Sequence, residues 1–180
     1  MTRGYVANIG PFKDSSILDS AQKLMLQNRV GDQMTGKRWK LVYTGTKANF
    51  AHNDFVKGVA KGHDSVCVIK TESQKVFGGY TNIPWSFNNN YAKKDGKTFV
   101  FKFEQNNFTT YKWTGGLGEV FHSKANIFDM VSPTIKTDKT ANAALFTRFE
   151  IPEGQDRSTV LCGEANPKLE EVEVFSLVPV

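Results

Sequence analysis

Cysteine is scarce in this chain: its 180 residues include two, Cys67 and Cys162, far apart in sequence. Two isolated thiols supply neither a disulfide framework nor a CxxC metal or redox pair, and they suit a reducing compartment. Long apolar runs are missing too. No stretch approaches the ~20 consecutive apolar residues that cross a bilayer, and Arg3, Asn8, Lys13 and Asp14 interrupt the N-terminal region where a secretory leader would lie. The expectation is a soluble, cytoplasmic protein without membrane insertion. Histidine is nearly as rare. His52, His63 and His122 show no HxxxH or HExxH spacing, so no metal is expected. Internal repeats, low-complexity tracts and linkers are absent, and residues 1–180 are expected to fold as a single domain that buries roughly 70% of the unfolded chain's surface.

Charge of one sign is unevenly spread. Residues 1–90 hold 12 Lys and Arg against 6 acids, and residues 91–180 hold 11 against 12, so the net charge of +5 belongs to the N-terminal half. A basic half can attract phosphate or anionic surfaces. The densest runs, Lys37, Arg38 and Lys40, and Lys93, Lys94 and Lys97, are short and read equally well as solvated surface. No helical, finger or aromatic-basic recognition motif accompanies them, and nucleic acid is not an expected partner.

Phenylalanine, by contrast, is abundant at 14 residues. Phe99, Phe101 and Phe103 alternate with Thr98, Val100, Lys102 and Glu104, then Gln105-Asn106-Asn107 turns the chain into Phe108 to Trp113, which predicts a hairpin with one aromatic face. Ser65 to Lys70 is apolar on both faces, as a central strand requires. A turn at Glu72-Ser73-Gln74 leads into Lys75 to Thr81. The pair Gly78-Gly79 in that strand predicts a close approach by another backbone or a large ring, with Trp39, Phe77, Tyr80 and Trp85 as the candidate rings. Weaker strands are predicted at Glu119–His122, Ile127–Val131, Leu145–Ile151 and Val160–Gly163, and Glu171 to Val178 closes the chain as a strand. Asn88 to Gly96 reads as an exposed loop.

Two helices are predicted. Ser16 to Met25 carries apolar residues at spacings of three and four behind a Ser cap, and Gly31, Asp32, Thr35 and Gly36 end it, with Gly31 as a left-handed C-terminal cap. Ala51 to Val59 is the second, with Phe55, Val56 and Val59 on its buried side. The sum is a mainly β fold with minor α, an antiparallel two-sheet β-sandwich with short edge helices on an aromatic core.

Reactive residues do not assemble into a recognisable site. His52, Asp54 and Cys67 contain the residue types of a nucleophile and its base, but His52 and Asp54 are two apart and on a helix do not face each other. Cys67 lies among Val66, Val68 and Ile69, where burial suppresses the thiolate. Gly115-Gly116-Leu117-Gly118 lacks the third glycine and crossover helix of a dinucleotide fingerprint and reads as a turn. Glu171 and Glu173 share one strand face and read as acids that keep an edge strand soluble. No catalytic, cofactor-binding or metal-binding residue is assigned, no cofactor is expected, and the partner-contacting loops stay unassigned.

Several of these segments together resemble the TLDc domain family. They are Trp39-Lys40-Leu41-Val42-Tyr43, Asn49-Phe50 with Phe55, Val66-Cys67-Val68-Ile69-Lys70, Phe77-Gly78-Gly79-Tyr80-Thr81 followed by Ile83-Pro84-Trp85, Thr98-Phe99-Val100-Phe101, and Leu161-Cys162-Gly163-Glu164 leading through Leu169 to Glu171-Val172-Glu173-Val174-Phe175. The likeness covers about residues 16–178. It implies a two-sheet sandwich, no enzyme activity, a role in oxidative-stress protection, and a protein partner, the vacuolar proton-pumping ATPase being the first candidate. An architectural module of a cytoskeletal or membrane-associated assembly and a thiol-dependent antioxidant enzyme are the alternatives. Departures from the family pattern are Asn49 in place of glycine, Val59 in place of cysteine, and a glycine-rich stretch reduced to Asn126-Ile127-Phe128-Asp129-Met130. Asparagine is the next best residue for a left-handed turn.

Overall fold

The computed structural model describes residues 10–31, 36–131, 133–145 and 148–180. Among them the elements run α1 (Ser20–Val30), β1 (Lys37–Thr44), α2 (His52–Val59), β2 (Ser65–Thr71), β3 (Val76–Thr81), β4 (Tyr91–Ala92), β5 (Phe99–Glu104), β6 (Asn107–Lys112), β7 (Val120–Phe121), β8 (Thr134–Ile135), β9 (Ala141–Asn142) and β10 (Leu169–Pro179). Six strands form one antiparallel sheet in the order β1-β10-β2-β3-β5-β6, and β4-β7 and β8-β9 form two short ribbons. The last strand therefore lies between the first two, which places β10 inside the sheet.

Alternation along the strands divides the core in two. Trp39, Val66, Val68, Phe99, Phe101, Phe103, Phe175 and Leu177 face one way and are covered by Phe12, Leu18 and Leu26 of the N-terminal segment and α1. Tyr43, Cys67, Ile69, Phe77, Val100, Tyr111, Val172 and Val174 face the other way, toward Val120, Phe128, Ile135, Leu145, Phe149 and Leu161. The mainly β, antiparallel architecture is the expected one. Its second layer is irregular chain with two ribbons. Of the strands expected in that layer, Glu119–His122 shortens to β7, Ile127–Val131 keeps an isolated bridge at Asp129, Leu145–Ile151 keeps one at Phe149 while its residues 146–147 lie outside the described residues, and Val160–Gly163 is turn. Apolar side chains in these segments are buried by packing, not by a ladder, so periodicity gave a misleading strand signal. Conversely, the Asn88–Gly96 loop contains β4, and β8 and β9 are too short to show a pattern.

The first helix starts at Ser20, not at Ser16. Asp19 is its cap: Gln22 N donates to Asp19 Oδ1 at 2.8 Å while Asp19 N donates to Gln22 Oε1 at 3.1 Å, a reciprocal capping box. Ser15 Oγ instead accepts Ile17 N and Leu18 N, holding a turn ahead of the helix. Gly31 sits at φ 81°, ψ 160°, with positive φ as expected but outside the left-handed helical well. Asp32 and Thr35 lie outside the described residues. Within α1 only Leu26 is fully buried, and Leu24, on its apolar repeat, is 56% exposed. Asn49 at φ 49° and Phe50 at φ 54° make the left-handed turn that brings the chain to α2.

Gly78 and Gly79 have no positive φ, and their reason is space. A Cβ on Gly78 would overlap the Cys67 carbonyl and lie 2.6 Å from Phe101 Cζ, and one on Gly79 would strike Met130 Sδ, with Cε at 2.9 Å. The ring is Phe101, directly opposite in the β3-β5 register, not any of the four rings predicted. Gly79→Ala is expected to cost about 1–3 kcal/mol, the usual penalty of overpacking a core, because the flexible Met130 can yield. A denaturant midpoint unchanged from wild type would show that the site tolerates the methyl.

Candidate functional site

The residues that carry reactive groups are separated or committed to structure. Cys67 lies in the centre of β2, fully buried, and burial, reinforced by the charge of Glu173, pushes its thiol well above the ordinary range. His52 opens α2 and bonds through Nδ1 to the Asn126 carbonyl at 2.7 Å, and Asp54 pairs with Lys57 one turn on at 3.5 Å. Among the described residues no hydrogen bond joins His52, Asp54 and Cys67. Cys162 is buried in a turn, not in a strand, where its Sγ lies 3.2 Å from the Glu164 carbonyl, and burial raises its pKa as well. A protonated thiol is a poor nucleophile.

The Ile83-Pro84-Trp85 segment builds an aromatic hub. Trp85 Nε1 donates to Ser65 Oγ at 3.2 Å, and its ring meets Phe55 of α2 at 5.6 Å, Phe128 at 5.0 Å and His122 at 5.7 Å. Phe87 and His52 close the group. Ser86 N donates to His122 Nδ1 at 3.2 Å, which occupies the lone pair of a neutral imidazole. Burial holds the His122 pKa below its usual value. The hub thus fixes α2 and the Asn126–Asp129 loop against the sheet, and Asp129 secures that loop by accepting Asn126 Nδ2, Val131 N and Thr134 Oγ1. His63 is exposed and shares no contact with the other two histidines. Among the described residues no group of three or more His, Cys, Asp and Glu side chains is arranged to hold a metal ion.

Gly115 and Gly116 form an open bend at φ 128° and 117°, with no following helix. Glu171 and Glu173 share a face, but β10 is interior. Glu173 is buried, and Glu171 accepts Thr46 N at 2.9 Å and the Thr46 hydroxyl. The edge-strand reading of these acids is thus corrected: sequence adjacency placed β10 last, whereas pairing placed it between β1 and β2.

What remains is surface. One cleft of about 620 Å³ lies where Lys75, Lys102 and Glu104 meet the Gln155–Gly163 turn, with Cys162 in its wall. A groove of about 690 Å³ runs beside β1, lined by Arg38, Lys40, Leu41 and Val42 of that strand, by Lys57, Gly58 and Lys61, and by Val178 and Pro179. The basic run at 37–40 was visible in the sequence. Its convergence with Lys57 and Lys61 required the docking of α2 and was not.

The TLDc domain profile matches residues 12–178. Similar proteins include nuclear receptor coactivator 7 of Mus musculus and of Gallus gallus, each 28% identical over 105 residues, which is 56% of this chain and 11% of the relative. The human protein of that name is 27% identical over the same length. The matched stretch thus spans about a tenth of the curated relatives.

Proposed function

We propose that this chain, which belongs to the TLDc domain family, works as a non-enzymatic protein-interaction domain, with the vacuolar proton-pumping ATPase as its first candidate partner and protection against oxidative stress as the physiological setting. The observation that carries the reading is how the reactive groups are spent. Both thiols are buried and held protonated, and His52 and His122 bond to backbone groups. A rigid sheet with no free nucleophile among its placed thiols offers its surface for work. The similar proteins bear a name that describes a coactivator, which agrees with action through protein contact. No helix among the described residues is long and apolar enough to cross a membrane; the proposed setting is cytoplasmic, next to a membrane-bound or cytoskeletal complex.

The direct assay mixes purified protein with the vacuolar ATPase and follows co-migration and proton pumping. Co-migration with altered pumping is expected. Co-migration without any change in pumping would favour the architectural role, and neither effect would remove this partner. Peroxide turnover abolished by Cys67→Ser or Cys162→Ser would replace the binding reading with thiol catalysis.

A further inference from the structure

We infer that the groove beside β1 is the docking site for an extended acidic peptide segment, which adds to the exposed edge of the sheet. The inference rests on the protein-interaction reading and deepens it by naming the face and the chemistry of the partner segment. Among the described residues β1 is an edge strand, paired on one side only, with β10. Trp39 and Leu41 turn toward the α1 side of the sheet, so alternation puts Arg38 and Lys40 together on the other face. Two residues along a strand span about 6.6 Å, which matches acidic residues at alternate positions of an added strand.

The second pair of cations comes from elsewhere. Gly58 lets α2 approach so closely that a Cβ there would overlap the Val42 carbonyl. That contact covers the edge at Val42 and brings Lys57 and Lys61 over the groove. Among the described residues the open part of the edge is Lys37 to Leu41. Arg38, Lys40, Lys57 and Lys61 are all exposed. Among the described residues their one acidic neighbour with a direct contact is Asp54, which pairs with Lys57 at 3.5 Å. Val42 and Val178 add apolar surface between the cations, and Leu41 and Pro179 line the rim.

Edge cations repel a second copy of the same strand. A strand of opposite charge meets the reverse condition, gaining backbone hydrogen bonds from the edge and Coulomb attraction from the rim. No aromatic residue lines the groove, so it offers no platform for stacking bases. Of the apolar residues of α2, Phe55 and Val59 are turned into the core and Val56 is half-buried, which leaves that helix no broad apolar face for a bilayer.

The test uses the blocked peptide acetyl-(Glu-Val)5-amide and its (Lys-Val)5 counterpart, with backbone amide shifts of the full chain as the readout. Saturable shifts confined to Lys37–Val42, Lys57–Lys61 and Val178 are expected with the acidic peptide and not with the basic one. Lys40→Glu and Lys61→Glu should each weaken the complex about tenfold while leaving thermal melting unchanged. Absence of saturable shifts, or shifts centred elsewhere, would overturn the inference. So would tighter binding at the same residues by phosphatidylserine vesicles or a single-stranded oligonucleotide. If Lys40→Glu/Lys61→Glu protein still co-migrates with the ATPase, the groove assignment falls while the interaction reading stands. If the peptide binds but the ATPase does not, the groove stands and the ATPase falls.

Discussion

Phe101→Ala is expected to lower the stability of the domain by about 3–5 kcal/mol, the range for removing a fully buried ring. Phe101 has no exposure and touches Phe99, Phe103 and Phe108, with ring centroids 6.3, 5.7 and 5.4 Å away. Its tip also lies over Gly78, its cross-strand neighbour. The ring thus fills space that a side chain at 78 would otherwise occupy, and glycine alone leaves room for it. Phe101→Leu keeps most of the volume and should cost less than half as much. Urea unfolding of the two variants measures this. Equal and small losses, below ~0.5 kcal/mol, would mean that the α1 side of the sheet repacks freely. Gly78→Ala provides a coupled check. In the Phe101→Ala background the ring overlap disappears but the overlap with the Cys67 carbonyl remains, so the double variant should recover part of the sum of the single losses and not all of it.

The sequence was legible where one face of an element is uniformly apolar. The alternation of Phe99, Phe101 and Phe103 gave the β5-β6 hairpin, and the two-faced apolar run Val66 to Ile69 gave a central strand. Periodicity failed in the second layer. There Ile127, Phe128, Leu145 and Leu161 are buried by chain that forms almost no ladder, so burial and strand pairing part company. Family likeness supplied what local pattern could not, namely that Asn49 still makes a left-handed turn before α2. The groove shows the same limit. Arg38 and Lys40 read as a short basic run, and only the Gly58 contact reveals that two more lysines join them.

Glu173 is the residue for which sequence reasoning erred most, and its replacement carries the second large effect. Its buried carboxylate holds the N-terminal segment onto β10: Oε1 accepts Ser16 N and Ser16 Oγ, each at 2.7 Å, and Oε2 accepts the Ser15 hydroxyl. Glu173→Ala leaves these donors without an acceptor. Each buried unsatisfied group costs about 1–3 kcal/mol, and since Ser16 is exposed and can turn to water, a net loss of about 2–4 kcal/mol is expected. Glu173→Gln is the sharper test. Ser15 Oγ already accepts Ile17 N at 3.2 Å and Leu18 N at 3.0 Å, which uses both of its lone pairs and obliges its proton to point at Oε2. An amide nitrogen at that position would set donor against donor, and flipping the amide moves the same conflict to Ser16 N. Glutamine should therefore cost about 1–3 kcal/mol despite its equal size, with amide exchange accelerated at Ile17 and Leu18 ahead of the sheet. Ser16→Ala, which removes one solvent-accessible bond, should cost under about 1 kcal/mol. If glutamine matches the wild type in both stability and exchange, the strap needs only an oxygen of the right shape, and the carboxylate requirement at Glu173 is wrong.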